Sequence, residues 1–308
     1  MSNSDPTQAF GLLYLHAQTA LHPGSGHALG TVDLPIQRER HTQWPVIPGS
    51  SLKGVLRDAC RRKSGKPLKE ADSDATLVGV FGPPSGNSDL HSGALSITDA
   101  RILAFPVRSI KGVFAWVTCP AALERFSRDL RLAHKGELKG LSDLGKDLDI
   151  ADKNLALTAD GSPLLVDGKS LILEEFEFTR VGKALSPDFV KAVGDAIDHE
   201  DTRRFLAGRL VVLHDDHFTH FVRHATEVTA RIGLDYESKT VKQGALFYQE
   251  FLPAETLFYA VAIAGNSRSG NGKTAADVLG YVREKLPPIL QVGGDAERGE
   301  IKRQISKM

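Results

Sequence analysis

The 308-residue chain contains only two cysteines, Cys60 and Cys119. Two cysteines are too few for a disulfide framework or a cysteine-ligated zinc knuckle, so we expect both to be small buried residues. The sequence also lacks any run of about 18 consecutive apolar residues, the length that a membrane-spanning helix needs. It does not open with a basic segment ahead of an apolar stretch, as a secretory signal would. We therefore expect a cytoplasmic protein with no membrane partner.

Net charge is also absent, because 38 basic residues balance 38 acidic ones. The overall electric field therefore gives no general attraction for nucleic acid, and any RNA binding must come from a local cluster. One such cluster lies at residues 38–63, where seven lysines and arginines stand against two acidic residues. Otherwise the composition, with 41% hydrophobic residues, is that of a globular protein.

Apolar periodicity predicts strands and helices in an irregular order, without a βαβ repeat. Expected strands cover residues 11–19, 94–107, 113–118, 171–179, 210–213, 257–264 and 289–292. Expected helices cover residues 49–63, 121–134, 187–197 and 275–285. Residues 135–168 are polar and predict an irregular surface insertion. Runs at 227–232 and 244–251 are typical of a long hairpin that turns near 235–242. These elements predict one elaborated α+β domain over residues 1–308, with helices on one face of a sheet.

The most informative stretch begins with a glycine-rich loop at residues 22–26 (HPGSG) and ends where residues 47–54 (IPGSSLKG) start a helix. Glycines allow a backbone to approach a ligand closely, and the free N–H groups of a helix start favour an anion such as phosphate. From the residues alone, a phosphate site at Gly49, Ser50 and Ser51 and a structural loop before a serine-capped helix are equally good interpretations.

The same stretch resembles the signature of the RAMP superfamily, and its details resemble the backbone subunit of the Cmr (type III-B) CRISPR effector complex. Further motifs follow in the family's order along most of the chain. They are residues 79–82 (GVFG), 99–101 (DAR) with 105–109 (FPVRS), 116–120 (WVTCP), 244–246 (GAL) with 250–253 (EFLP), and 291–295 (QVGGD). Each motif is weak alone, but their order is specific. The charged residues after 295 depart from the family's glycine-rich end.

The resemblance implies an RRM-like (ferredoxin-like) palm with large insertions and a projecting β-hairpin thumb, for which residues 227–253 are the candidate. It implies copies of the chain stacked head to tail along a guide crRNA, together with other Cmr-complex subunits. The thumb would displace bases of a single-stranded target RNA at regular intervals, and the neighbouring phosphodiester would be cut. The chain would then be an endoribonuclease.

By the same resemblance, Asp33 occupies the position of the family's cleavage aspartate, and His22 matches a histidine of the same loop. In-line attack by a 2′-hydroxyl needs a base or a metal near the nucleophile, and a carboxylate can serve either purpose. We therefore expect Asp33 to bind a divalent metal, Mg²⁺ or Mn²⁺, or to act as the base. His22 could contact phosphate, act as an acid or orient the loop.

Guide contacts are expected from cations and from glycine-rich backbone, because both bind phosphate without reading sequence. The candidates are Arg38, Arg40, Gly49, Ser50, Ser51, Lys53, Arg57, Gly293 and Gly294. Lys53 and Arg57 lie four residues apart on one helix face. Alternatively, this basic helix face contacts only solvent and binds no RNA.

Two other patterns have simpler interpretations. His217, His220 and His224 fall on one side of a helix and could chelate a transition metal, but their phenylalanine neighbours favour a packed helix edge. Residues 267–274 (SRSGNGKT) imitate a P-loop in which serine replaces the first glycine, and we expect a flexible basic loop there. Two other functions therefore remain open: a non-catalytic structural crRNA-binding subunit, with cleavage absent or supplied by a partner, and a stand-alone metal hydrolase that uses the histidines.

Overall fold

The computed structural model describes residues 7–27, 30–84, 91–133, 153–238, 240–293 and 299–305, except for the side chains of 243, 244 and 299–305. Its strands are β1 (Gln8–Ala17), β2 (Val46–Ile47), β3 (Leu95–Ile97), β4 (Ala100–Arg108), β5 (Phe114–Thr118), β6 (Leu155–Thr158), β7 (Ser170–Leu173), β8 (Phe176–Arg180), β9 (Leu210–Leu213), β10 (Glu227–Leu234), β11 (Val241–Phe251), β12 (Leu257–Gly265), β13 (Ile289–Val292) and β14 (Gly299–Ile305). Its helices are α1 (Gly49–Lys63), α2 (Leu68–Asp72), α3 (Ala75–Phe81), α4 (Pro120–Leu132), α5 (Pro187–Gly194), α6 (Glu200–Arg209), α7 (Asp215–His224) and α8 (Ala275–Lys285).

Twelve of these strands form one large mixed sheet in the order β13-β14-β1-β12-β4-β5-β9-β6-β8-β7, with β2 paired to β4 and β3 paired to β12. The pairing is antiparallel except between β5 and β9 and between β6 and β8. At the centre, β1 and β12 pair from Gln8 opposite Gly265 to His16 opposite Leu257. The fold is therefore a mixed α/β one.

Both faces of the sheet are covered by helices. Successive side chains of a strand point to opposite faces, so β12 sends Phe258 and Ala260 into one core and Tyr259 and Val261 into the other. Helices α1, α7 and α8 pack on the first face, and α4, α5 and α6 pack on the second. The expectation of helices on one face only is wrong, because β12 is apolar almost throughout and must be shielded from water on both sides. Both cysteines are buried, as expected.

Several predicted elements are confirmed and others are corrected. Helix α8 and strands β9 and β13 have the predicted bounds, and α1 starts at Gly49 and ends at Lys63, as predicted. Residues 135–168 were expected to be irregular; residues 135–152 of this stretch lie outside the described residues, and residues 155–158 form the buried strand β6. The single strand expected at 171–179 is two strands, β7 and β8, joined by a turn in which Glu174 has a φ of 49°. Helix α6 and strand β14 were not predicted.

Strands β10 and β11 form a separate two-stranded sheet, so the predicted hairpin is confirmed as an element. Their register runs from Glu227 opposite Phe251 to Leu234 opposite Val241, with an irregularity just before Leu234. At the turn, the Asp235 carboxylate accepts the N–H of Ser238 at 2.8 Å. This hydrogen bond is typical of an aspartate that stabilises its own turn.

The segment that imitates a P-loop has a packing role. Ser267 N–H donates to the Lys273 carbonyl at 2.9 Å, and the Asn271 side chain donates to the Ala75 carbonyl of α3 at 3.1 Å. Thr274 then caps α8. The loop expected to be flexible is thus held against α3 by hydrogen bonds. Within the described part of the chain, no helix is both long and apolar enough to cross a membrane.

Candidate nucleic-acid interface

The loop that contains Asp33 is attached to the end of β11, at the base of the hairpin. Leu34 N–H donates to the Tyr248 carbonyl at 3.0 Å, and Glu250 N–H donates to the Leu34 carbonyl at 3.0 Å. Between these bonds, Tyr248 N–H donates to Oδ2 of Asp33 at 2.7 Å. One oxygen of the Asp33 carboxylate is therefore fixed beside the hairpin, and none of the residues that the structure describes donates a hydrogen bond to the other oxygen.

His22 lies on the same edge of β11. Its Nδ1 is 2.7 Å from the Glu250 carbonyl oxygen, and since a carbonyl only accepts, Nδ1 is the donor and Nε2 remains for other partners. Tyr248 and Glu250 are two residues apart, so the points that anchor Asp33 and His22 are separated by about 7 Å along the strand. A Cβ atom on Gly24 would lie 2.7 Å from Nε2 of His22, so a larger residue at position 24 would displace the imidazole ring. The structure thus brings the two predicted catalytic residues to one edge.

Arg38 turns inward from the same loop. Its guanidinium donates to the carbonyls of Gln43 and Val222, at 2.9 and 2.8 Å, and pairs with the Glu250 carboxylate at 2.5 Å. The side chains of Arg38 and Glu250 are only 16% and 8% exposed. The structure therefore gives Arg38 a role within the protein, and its guide contact stays a prediction.

Arg40 differs from Arg38, since its side chain is exposed and forms no ion pair with any residue that the structure describes. It projects from a turn that Glu39 stabilises by accepting hydrogen bonds from Thr42 at 2.6 Å and Arg125 at 2.8 Å. Burial acts to raise the pKa of Glu39, but these two hydrogen bonds and the charge of Arg125 outweigh it, so the pKa lies below its ordinary value. The turn is an ordered support for the Arg40 cation.

The N-terminus of α1 does not have the serine cap that the sequence predicted. Pro48 is the N-cap, and it makes no side-chain cap hydrogen bond. The Gly49 N–H donates instead to Oδ1 of Asp99, at 2.8 Å. A carboxylate thus already binds where an anion was expected. Ser50 and Ser51 are exposed, and their contact with RNA stays a prediction.

Gly49 itself is required for packing. It is buried against the turn between β3 and β4, and a Cβ atom built on it would lie 2.3 Å from the Ile97 carbonyl oxygen. No side chain fits at that distance, and the obstacle is backbone. The glycine thus allows the helix to approach the sheet, whereas the sequence pattern indicated approach to a ligand.

Further along α1, the two predicted guide-binding cations have different environments. Arg57 donates to the carbonyls of Gly82 and Pro83 at 2.9 and 3.3 Å. Lys53 is half-buried and has no hydrogen bond or ion pair with a described residue. Burial, and then the charge of Arg57, lowers the pKa of Lys53. An anion near Lys53 would offset both effects by stabilising the charged ammonium group, which favours Lys53 over Arg57 as a phosphate contact.

Gly293 lies across from α1. It has a φ of 104° and lines a groove of about 840 Å³ between α1 and β13, together with Gly54, Asp58 and Arg62 of the helix. The structure thus places the predicted C-terminal glycine beside the predicted basic helix. Gly294 lies outside the described residues.

No three His, Cys, Asp or Glu side chains are grouped to hold a metal ion in the part of the chain that the structure describes. Asp33 offers one carboxylate, and Mg²⁺ commonly takes one or two carboxylates and completes its shell with water and phosphate. Asp33 thus fits a metal as a single ligand, with the other ligands from RNA and water. His217 packs edge-on against Phe178 at 4.9 Å between ring centroids, as a packed helix edge requires.

Two carboxylates that organise this surface, Glu250 and Asp99, were not predicted as site residues. Glu250 contacts Arg38 across 212 positions of the chain, and Asp99 contacts Gly49 across 50. Glu250 lies in the motif at residues 250–253, and Asp99 lies in the motif at residues 99–101. Their position in these motifs was the one sequence signal that could have identified them as site residues. Neither local periodicity nor charge distinguishes them from other acidic residues.

Comparison with known proteins places this geometry in a family. Residues 14–299 match the RAMP superfamily. The CRISPR system Cmr endoribonuclease Cmr4 of Pyrococcus furiosus is 38% identical over 293 residues, which make up 94% of this chain and 92% of that protein. The crystal structure of oligomeric Cmr4 from Pyrococcus furiosus has a TM-score of 0.68 at 30% identity and covers 97% of this chain and 98% of that one.

A chain in the cryo-EM structure of the type III-B Cmr-beta complex bound to cognate target RNA has a TM-score of 0.72 at 22% identity. The match covers 97% of this chain and 98% of that one, and it shows a shared fold. The family match, the Cmr4 relative that aligns with 94% of this chain, and the large mixed sheet all indicate the same family. The chain therefore belongs to the RAMP superfamily and, within it, to the Cmr4 family.

Proposed function

We propose that this chain is the repeating backbone subunit of a type III-B Cmr effector complex, in which it binds guide crRNA and cleaves complementary target RNA. Its 38%-identical relative is named a Cmr endoribonuclease, and a protein of the same fold belongs to a Cmr complex bound to target RNA. The observation that carries the proposal is the hydrogen bond from Tyr248 to Asp33, which holds a carboxylate at the base of an exposed hairpin.

The palm of the proposed subunit is RRM-like. The strand order β14-β1-β12-β4, all antiparallel, supports this, because it is the order 4-1-3-2 of a ferredoxin-like fold. Helix α1 follows β1 and helix α8 follows β12, and both pack on the same face. The elements from β5 to β9 and the helices α4 to α7 are then insertions into a single elaborated domain of 308 residues.

Hairpin β10–β11 is the proposed thumb. One of its faces carries Val228, Ile232, Leu246 and Tyr248, whose side chains are 50%, 52%, 57% and 41% exposed. Ile232 is paired with Leu246, so these apolar side chains lie side by side. Apolar side chains can wedge between base steps, and an aromatic ring can stack on a base. This face would therefore unstack the target next to Asp33.

Displacing a base frees the adjacent ribose for in-line attack. The 2′-oxygen bonds to phosphorus, the bond from phosphorus to the 5′-oxygen breaks, and the products are a 2′,3′-cyclic phosphate and a 5′-hydroxyl. Asp33 would accept the 2′-hydroxyl proton. Alternatively, Asp33 would hold a Mg²⁺ or Mn²⁺ ion, which would supply positive charge to the phosphoryl oxygens while the 2′-hydroxyl proton passes to solvent. Because Nδ1–H of His22 is bound to the Glu250 carbonyl, only the doubly protonated imidazole would carry a proton on Nε2. In that form His22 would donate to the phosphate or give this proton to the leaving 5′-oxygen.

The guide crRNA would lie along α1 and its surroundings. Arg40 and Lys53 are the strongest candidates, because neither is paired with a described residue. Gly293 lines the groove beside the same helix and would permit close approach of the RNA backbone. These contacts read no sequence, as a subunit that serves every guide requires. Other copies of the chain and other Cmr subunits complete the proposed assembly.

The test is target cleavage by the reconstituted complex, with wild-type subunit or Asp33→Ala, in Mg²⁺, Mn²⁺ or EDTA. Gel shifts follow guide and target binding in parallel. We expect regularly spaced cuts with cyclic phosphate ends from the wild type, and intact binding without cuts from Asp33→Ala. Unchanged cutting by Asp33→Ala would place the nuclease elsewhere and make this chain a structural guide holder. Target cleavage in EDTA would show that the reaction does not require a divalent metal.

A further inference from the structure

The side chain of Glu250 is a buried carboxylate that satisfies three donors. Its Oε2 accepts the Ile36 N–H at 3.0 Å, and its Oε1 accepts the guanidinium of Arg38 at 2.5 Å and the hydroxyl of Thr226 at 2.9 Å. Glu250 as a whole is 6% exposed. Removing a carboxylate from water is costly unless all its acceptor positions are filled, and here both oxygens are occupied by protein donors.

These partners belong to different segments. Ile36 follows the Asp33 loop, Thr226 is the residue before β10, and Arg38 also binds the carbonyl of Val222 near the end of α7. The main chain of Glu250 adds two more contacts, because its N–H donates to Leu34 and its carbonyl accepts from His22. One residue of the hairpin thus touches the loop of each predicted catalytic residue and both ends of the hairpin's base.

We propose that Glu250 is a positioning residue that couples the orientation of hairpin β10–β11 to the placement of Asp33. The inference rests on the proposed function. When RNA engages the exposed face of the hairpin, any rotation of its base is passed through Glu250 to residues 34–38, and from there to the neighbouring Asp33. A misplacement of about 1 Å at a reacting group can lower a rate on the order of 100-fold, so the coupling affects cleavage more than binding.

Glu250→Gln tests this coupling with almost no change of volume. Both carboxylate oxygens of Glu250 accept hydrogen bonds, whereas the amide of glutamine has one oxygen that accepts and one NH₂ group that donates. Whichever way the amide is turned, it therefore loses either the hydrogen bond from Ile36 or the hydrogen bonds from Arg38 and Thr226. Thr226→Val is a milder second variant that removes a single hydroxyl contact. Glu200→Gln, an exposed change at the start of α6, is the matched control for the change from glutamate to glutamine.

The experiment measures single-turnover cleavage rate and target affinity separately, in assembled complexes containing guide crRNA. We expect Glu250→Gln to slow cleavage on the order of 100-fold and Thr226→Val about fivefold, with target affinity within about twofold of wild type. Glu200→Gln should match the wild type. The cut positions should not move, because the guide still sets the register.

Each outcome decides the inference. Cleavage at the wild-type rate by Glu250→Gln, in a complex whose cutting still requires Asp33, overturns the inference and leaves the proposed function standing. A proportional loss of target affinity and cleavage also overturns it, because a structural residue acts on both. If Glu250→Gln fails to assemble, Thr226→Val decides, and slow cleavage with full affinity supports the coupling. No cutting by the wild type, or cutting without Asp33, is a failure of the proposed function.

Discussion

The loop that contains Asp33 and the N-terminus of α1 lie close together in the sequence and contain the same kinds of residue, yet the structure uses them differently. The Asp33 loop is attached to β11 through its backbone and one carboxylate oxygen, and no described side chain or N–H group donates to the second oxygen. At the start of α1, the Gly49 N–H is bound by Asp99 and the Gly49 Cα packs against backbone. Glycine next to a helix start therefore does not by itself identify an anion site.

The difference lies in what each segment faces. The loop faces the hairpin, whose apolar side chains are exposed, as the proposed contact with target RNA requires. The start of α1 faces the turn between β3 and β4, which already fills the available space. We therefore assign chemistry to the loop and support to the helix start. The predictions below test that division, from the largest expected effect to the smallest.

Arg38→Ala tests whether the loop is held by its buried ion pair. It would leave the Glu250 carboxylate buried without its cation, so we expect the free energy of unfolding to fall by about 3–5 kcal/mol. Arg40→Ala is the matched control, and because that side chain is exposed, the change should stay within about 0.5 kcal/mol. Urea denaturation of the isolated subunit measures both. Equal stability of the two variants would contradict a structural role for Arg38.

Gly49→Ala tests whether the start of α1 is a packing element. The new Cβ would meet the Ile97 carbonyl at 2.3 Å, so we expect a loss of about 3 kcal/mol of stability. At Gly54, an added Cβ meets nothing within 4 Å. Gly54→Ala in the same helix should therefore stabilise the protein by about 0.5–1 kcal/mol. If the two changes have the same sign in urea denaturation, the packing argument is wrong.

Arg40→Ala also tests the proposed contact with guide RNA. If Arg40 binds one phosphate, its loss should weaken guide binding equally for all guide sequences and lower the slope of log affinity against log salt by about 1. Filter binding over a salt series measures this slope. Arg204→Ala, a change to an exposed cation of α6 outside the proposed interface, is the reference and should leave the slope unchanged. An unchanged slope for Arg40→Ala would remove Arg40 from the interface.

The smallest expected effect is on pH dependence. Burial, followed by the charges of His214 and His220, lowers the pKa of His217, although Asp216 opposes this. The unfolded chain then binds a proton near the ordinary pKa of about 6.5 before the folded chain does, so acidification favours unfolding. We expect stability to fall between pH 7.5 and 5.5, a range above the titration of ordinary carboxylates. His217→Gln should reduce this fall in denaturation midpoints, and an unchanged pH profile would contradict the assignment.

Much of the secondary structure could be predicted, because periodic apolar residues define α8 and the two strands of the hairpin locally. Helix α6 was not predicted because only Leu206 of its ten residues is buried, which leaves little apolar periodicity in its sequence. Contacts between residues distant in sequence were not predicted for a different reason. The contact between Glu250 and Arg38 and the contact between Asp99 and the start of α1 both depend on how the strands are arranged in the fold. No local sequence pattern encodes that arrangement. The resemblance located Asp33, but the contact that holds it required the structure.

The most direct test of the division between chemistry and support is a pair of matched substitutions, Asp33→Asn and Asp99→Asn, compared in the same assembled complex. Each exchanges one carboxylate for an amide of nearly the same size. We predict that Asp33→Asn abolishes target cleavage while stability and target binding remain. Asp99→Asn keeps an oxygen that can accept the Gly49 N–H and loses only the charge at the start of α1, so we predict a loss of stability of about 0.3–1 kcal/mol while cleavage remains. Cleavage that survives in Asp33→Asn and is lost in Asp99→Asn would contradict the account.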